Sequence, residues 1–216
     1  KESKTSASKV LQFYMNAFFE ELNSIDQQDN SLLLDFCRKQ VIHGTPYIFQ
    51  QKEHEYYEFR KRISNKWNIM YHDVHITGSA KLGFSFFKQK QFDLDSDVDV
   101  AIISNPLFDK FMVLISDFQW RKRNKNITLT IKESEDYHRF LEYAAIGWLR
   151  PDLLPLSIRF GSKKLKDDWF SFFQSISNNN SEVGNYKVSA GIFKNYQFFE
   201  TYTLNSLIEG KKKCKK

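Results

Sequence analysis

The chain's 216 residues set 32 Lys and Arg against 26 Asp and Glu, for a formal net charge of +6 and a pI of about 9.1. A hydrophobic share of 41% is enough for a packed core. No run approaches the roughly 20 apolar residues of a bilayer span. Cys37 and Cys214 stand too far apart to suggest a disulfide framework, so a reduced, cytoplasmic setting without membrane attachment is expected.

Val10, Leu11, Tyr14, Met15, Phe18, Phe19 and Leu22 recur at spacings of three and four and predict an amphipathic helix over about 6–24. A second helix starts at a cap within 29–31 and ends before Gly44. A third takes Thr45 as N-cap and Pro46 as its first residue and runs towards Trp67. Residues 75–77 read as a strand ended by Gly78-Ser79. Val98, Val100 and Ala101-Ile102-Ile103 make a second strand, between polar 93–96 and Asn105-Pro106.

Downstream, 107–120 reads as helix, 126–131 as a short strand, 133–148 and 165–177 as helices, 186–193 as a strand, and 196–208 as a last helix stopped by Gly210. Such interleaving predicts an α/β or α+β fold, a mixed sheet flanked by helices. Residues 1–68 form an N-terminal helical segment on a core built by 69–216, in one compact unit.

The chemistry concentrates in residues 76–103. Side chains alternate along a strand, so Asp97 and Asp99 share one face, roughly 6 to 7 Å apart at their Cα atoms, while Val98 and Val100 face inward. Two such carboxylates resist joint ionisation unless a cation sits between them, and hard oxygen ligands favour Mg²⁺ or Mn²⁺. Upstream, Gly78 lets a phosphate approach the backbone, Ser79 adds a hydroxyl and an N–H, and Lys81 adds a positive charge.

Gly78-Ser79 followed by Asp97-Val98-Asp99-Val100 resembles the signature of the DNA polymerase beta-like nucleotidyltransferase superfamily, over about 30 residues. That superfamily includes CCA-adding enzymes, poly(A) polymerases, cyclic-oligonucleotide synthases and small toxin–antitoxin members. The resemblance implies transfer of a nucleoside monophosphate from an NTP to a hydroxyl with release of pyrophosphate. Gly78 and Ser79 would hold phosphates and Asp97 and Asp99 would hold metal. One departure stands out: residues 80–96 make the gap 17 residues long, and Asp93-Leu94-Asp95 would suit the usual gap better. Only Asp97 and Asp99 lead into a buried-strand pattern. The excess is then a loop bearing Phe84, Phe86, Phe87, Lys88 and Lys90.

Transfer of this kind uses a third carboxylate, and Asp152, roughly 50 residues after Asp99, is the candidate. Pro151 and Pro155 disfavour helix before them and predict an extended piece between. The competing reading is that Asp152 begins a turn after the preceding helix.

Other chemistries fit less well. Asp93, Asp95 and Asp97 open like a calcium loop, yet Val98 stands where the turn needs Gly and Ser104 where a Glu is needed. His72 and His75 have no companions for a zinc shell, and no Gly-x-Ser-x-Gly elbow surrounds Ser79 or Ser85. Basic clusters at 60–62, 121–125, 163–166 and 211–216 lean towards RNA or another polyanion as partner. A nucleotide or a protein side chain is the alternative acceptor, as in a toxin–antitoxin or antiviral setting. The other class of function is a module that keeps the fold, has lost catalysis, and binds nucleic acid or a protein partner.

Overall fold

The computed structural model describes residues 2–26 and 28–214, with side chains for 9–26 and 28–213. Four strands form the central sheet: β1 (Val74–Thr77), β4 (Val98–Ile103), β5 (Trp148–Leu149) and β8 (Val188–Phe193), in the order β1-β4-β8-β5. β4 runs antiparallel to β1 and parallel to β8, and β5 closes the far edge antiparallel to β8. Two small hairpins, β2 (Phe84–Ser85) with β3 (Lys90–Gln91) and β6 (Arg159–Phe160) with β7 (Lys163–Lys164), stand apart from the sheet. The fold is α+β with a mixed sheet, as the alternation of patterns predicts.

Strand periodicity divides the sheet into two unlike faces. Val74, Ile76, Val98, Val100, Ile102 and Ile192 join the main core. There they meet Phe59, Ile63 and Trp67 of α3 (Glu53–Trp67), Phe111, Ile115 and Phe118 of α5 (Asn105–Arg123), Tyr137 and Phe140 of α6 (Ile131–Ala145), and Trp169 and Phe173 of α7 (Leu165–Ser175). On the opposite face, Ala101 and Phe193 are covered by Phe199 of α8 (Tyr196–Cys214), while Asp99 at the other end of β4 keeps solvent access.

A second core explains the long gap in the motif. Leu11, Met15, Phe18 and Leu22 of α1 (Glu2–Ser24) pack on Leu33 and Phe36 of α2 (Asn30–Phe36) and on Val41 of the π-helical turn Cys37–Ile42 that prolongs it. Phe84 and Phe86 insert into this cluster, so the segment expected to be a loop is a hairpin anchored by two buried rings. Full burial of a Phe contributes about 1.5–3 kcal/mol, which holds the insertion down.

Four local expectations are corrected. The third helix is split: Tyr47–Phe49 is a short 3-10 turn, Gln51 takes φ 59°, and α3 starts only at Glu53. Residues 126–131 form no strand, because Thr130 caps α6 in a reciprocal pair with Glu133 and draws Ile131 into the helix. Pro151–Leu153 is a 3-10 turn rather than extended. Gly210 does not stop α8, which runs on to Cys214; a Cβ there would lie 2.7 Å from Phe86 Cδ2, so this glycine serves close packing.

The division at residue 68 does not coincide with a division of cores, since Phe49, Phe59, Ile63 and Trp67 belong to the main cluster around the sheet. Cys37 is buried, and burial pushes its thiol up to about 12. Its expected separation from Cys214 lies outside the described side chains, as do the tail residues 215–216.

Candidate functional site

Pairing of β1 with β4 sets Thr77 opposite Asp99, so the chain leaves β1 at Gly78 directly beside that carboxylate. Gly78 has φ +63°, and a Cβ built on it would meet Asp99 Oδ2 at 3.1 Å. Both the backbone conformation and the approach favour glycine, since a side chain here would be strained and would push the Asp99 carboxylate aside by a few tenths of an ångström. The following α4 (Gly78–Leu82) is a five-residue helix; it carries half-buried Ser79, whose hydroxyl makes no protein hydrogen bond among the described residues.

Asp97 immediately precedes β4 and Asp99 is the second residue of the strand, both with solvent-accessible surface. The protein around Asp99 still desolvates its carboxyl and raises its pKa, and the charge of Asp97 adds to the rise. Ser189, Lys187 and Lys88 oppose it. Ser189 Oγ donates to Asp99 Oδ1 at 2.7 Å from the parallel register partner on β8. Lys187 Nζ reaches Asp97 Oδ2 at 3.4 Å. Both partners of that ion pair are well exposed, so it contributes little to stability and readily gives way to another cation.

The earlier acidic pair lies elsewhere. Asp93 pairs with Lys90 at 2.6 Å and accepts from Ser96 Oγ and the Asp95 N–H, in a turn that ends before the strand. Asp97 stands just before β4 and Asp99 within it, apart from that turn.

Two residues expected at the site are turned away from it. Lys81 is buried, and its ammonium donates to the carbonyls of His43 and Gly44. Burial pushes its pKa down to about 8. It braces the loop after the π-helical turn rather than facing Ser79. Asp152 lies in the 3-10 turn after β5 and is held in a fork by Arg150, at 2.7 Å from Nη2 and 3.3 Å from Nε. Because β8 stands between β4 and β5, two interstrand spacings, roughly 10 Å, separate that strand from Asp99. Among the described residues no three His, Cys, Asp or Glu side chains cluster as metal ligands do.

Ser189 was missed from the sequence. Lys187 and Ser189 alternate with Val188 and Ala190, which marks a polar face on that strand, but parallel pairing across 90 residues left no local sign that this face meets Asp99.

The remaining oxygens fit one hard cation. Mg²⁺ commonly takes one or two carboxylates and keeps several waters, so Asp97 and Asp99, with the Ser189 hydroxyl beside them, are the residues that would hold it.

The basic clusters are largely engaged within the chain. Arg62 pairs with Glu182, Arg121 with Asp117, and Lys163 with Asp168. Lys122 and Arg123 lie over the rings of Tyr137 and Trp120, and Lys211 is buried against the end of α1.

Compared with protein-family models, with curated proteins and with solved structures, the chain finds no match in any of the three. Among the described residues no helix is long and apolar enough to cross a membrane.

Proposed function

We propose that the chain is a metal-dependent nucleotidyltransferase, moving a nucleoside monophosphate from an NTP to a hydroxyl. The observation that carries this reading is the seating of Gly78 against Asp99, which sets a side-chain-free turn beside the paired carboxylates on an open sheet face. In the transfer, the acceptor oxygen bonds to the α-phosphorus, the bond to the bridging α–β oxygen breaks, and pyrophosphate leaves. The acceptor proton goes to a carboxylate or to water. A cation at Asp97 and Asp99 would supply Lewis acidity at the phosphoryl oxygens. Gly78 and Ser79 admit and orient the phosphates, and Lys187 and Lys88 keep the approach attractive to an anion.

A second reading has its own support. Ser189 occupies the position opposite Asp99, and Asp152 is committed to Arg150, so a module that binds Mg²⁺–NTP, nucleic acid or a protein partner without turnover also fits. The test incubates the full chain with each α-labelled NTP, Mg²⁺ or Mn²⁺, and total RNA or lysate. Transfer predicts label in an acceptor together with pyrophosphate, both abolished by Asp97→Ala plus Asp99→Ala in a folded protein. Retained Mg²⁺–NTP binding with no labelled acceptor selects the second reading. RNA as acceptor further predicts that neutralising 121–125 flattens the log–log salt dependence of binding by about 0.7 for each phosphate that the variant leaves unneutralised.

A further inference from the structure

An open cleft of about 620 Å³ lies away from the carboxylates, and none of Gly78, Ser79, Asp97 or Asp99 lines it. Its size is within the range of small-molecule sites. Its walls come from α3, β1, the start of α8 and the segment after the π-helical turn, so elements distant in sequence converge on it.

The charge balance of this cleft is one-sided. Among the described residues Glu200 is the one carboxylate in its lining, and both of its oxygens are taken by Arg38, at 2.6 and 3.0 Å. Arg60 has no such partner. Its Nε donates to the Tyr71 carbonyl at 2.9 Å, and its guanidinium lies 5.1 Å from the Tyr56 ring centre and 5.0 Å from that of Tyr71. The two terminal nitrogens meet no protein acceptor among the described residues, so a pre-oriented fork remains available to a ligand. Behind Gly44, the buried Lys81 ammonium adds a second positive charge that only carbonyls meet. Tyr196, 45% exposed, adds its ring to the cleft lining, edge-on to His75 at 6.2 Å. Burial and then Arg60 push the His75 pKa down to about 4, so the imidazole stays neutral beside that ring.

We propose that this cleft binds a small phosphate monoester carrying a planar ring, with the phosphate forked by Arg60 and the ring laid against Tyr196. An unpaired guanidinium in a fixed plane matches phosphate oxygens bidentately, and an exposed phenol matches the face of a base.

The test is calorimetric titration of the full chain with AMP, ribose 5-phosphate and adenosine, in EDTA so that no divalent cation bridges nucleotide to Asp97 and Asp99. AMP is expected to bind saturably and each fragment about tenfold or more weakly. Arg60→Met should weaken AMP by about tenfold or more, the scale of hydrogen bonds to a charged group. Glu200→Gln should tighten it by releasing Arg38, a gain that misfolding cannot mimic. Asp97→Ala plus Asp99→Ala should leave AMP affinity unchanged. The proposal is overturned by absence of AMP binding at millimolar concentration, by ribose 5-phosphate binding as well as AMP, by weaker binding in Glu200→Gln, or by loss of binding in the aspartate double variant.

Discussion

Ser189 Oγ donates to Asp99 Oδ1 at 2.7 Å, one strand across and in register, so a neutral hydroxyl rather than a third acid faces the carboxylate pair. Desolvation, reinforced by Asp97, raises the Asp99 pKa above its unfolded value of about 3.9. Below that unfolded value the acid is protonated in both states and costs nothing; above the folded value its ionisation opposes folding in full. Asp99→Asn is therefore expected to raise the melting temperature at neutral pH, with the gain shrinking as pH falls towards 4. Added Mg²⁺ should stabilise the parent and not the variant, by about 2.7 kcal/mol at a concentration 100 times its Kd. Melting curves across pH with and without Mg²⁺ measure both, and equal curves for the two proteins would remove Asp99 from any metal site.

Gly78 tests the phosphate approach. Gly78→Ala strains a backbone at φ +63°, at a cost of about 1–2 kcal/mol, and drives a methyl to within 3.1 Å of Asp99 Oδ2. Gly78→Val should do more harm, and both should weaken Mg²⁺–ATP binding beyond what Ser79→Ala does, since that change removes a hydroxyl and leaves the N–H. Nucleotide affinity read by calorimetry in Gly78→Val decides whether this turn meets the phosphates.

Lys81 has a pH signature of its own. Its pKa falls to about 8 through burial, below an unfolded value near 10.4, so the ammonium opposes folding fully below pH 8. That cost is relieved as pH climbs to about 10.4. The parent should gain stability relative to Lys81→Met across this interval, measured by urea denaturation at fixed pH. A constant difference would mean that the ammonium is not desolvated in the folded state.

At Gly210, helix propensity and packing oppose each other. Ala is better than Gly inside a helix by about 1 kcal/mol, yet the added Cβ would come to 2.7 Å from Phe86 Cδ2. Gly210→Ala is expected to destabilise the protein in the parent and to stabilise it once Phe86→Leu has removed the ring. A double-mutant cycle by chemical denaturation reads the sign change.

The elements nearest the candidate site were legible because their signals are local. Val98, Val100 and Ile102 alternate with Asp99 and Ala101, and that period by itself marked the strand, which starts at Val98 with Asp99 within it and Asp97 just before it. Gly78 at the end of a short apolar run marked the turn. The amphipathic repeat of α1 was likewise contained in its own residues, within the described side chains. What failed locally did so where tertiary packing outweighed propensity, as when Phe86 received Gly210 inside α8, or where one cap outweighed an alternation, as at Thr130.

Composition and periodicity determined the class of fold, the placing of the two aspartates at the start of one strand and the glycine beside them, since each depends on residues a few positions apart. Which side chains meet those aspartates was decided only in three dimensions. The parallel pairing of β4 with β8 brought Ser189 to Asp99, the intervening strand kept Asp152 with Arg150, and the buried carbonyls of His43 and Gly44 drew Lys81 inward. The cleft around Arg60 likewise exists only where α3, β1 and α8 converge. Pairing and convergence depend on free energies summed over a whole packed chain, and no short window of sequence contains them.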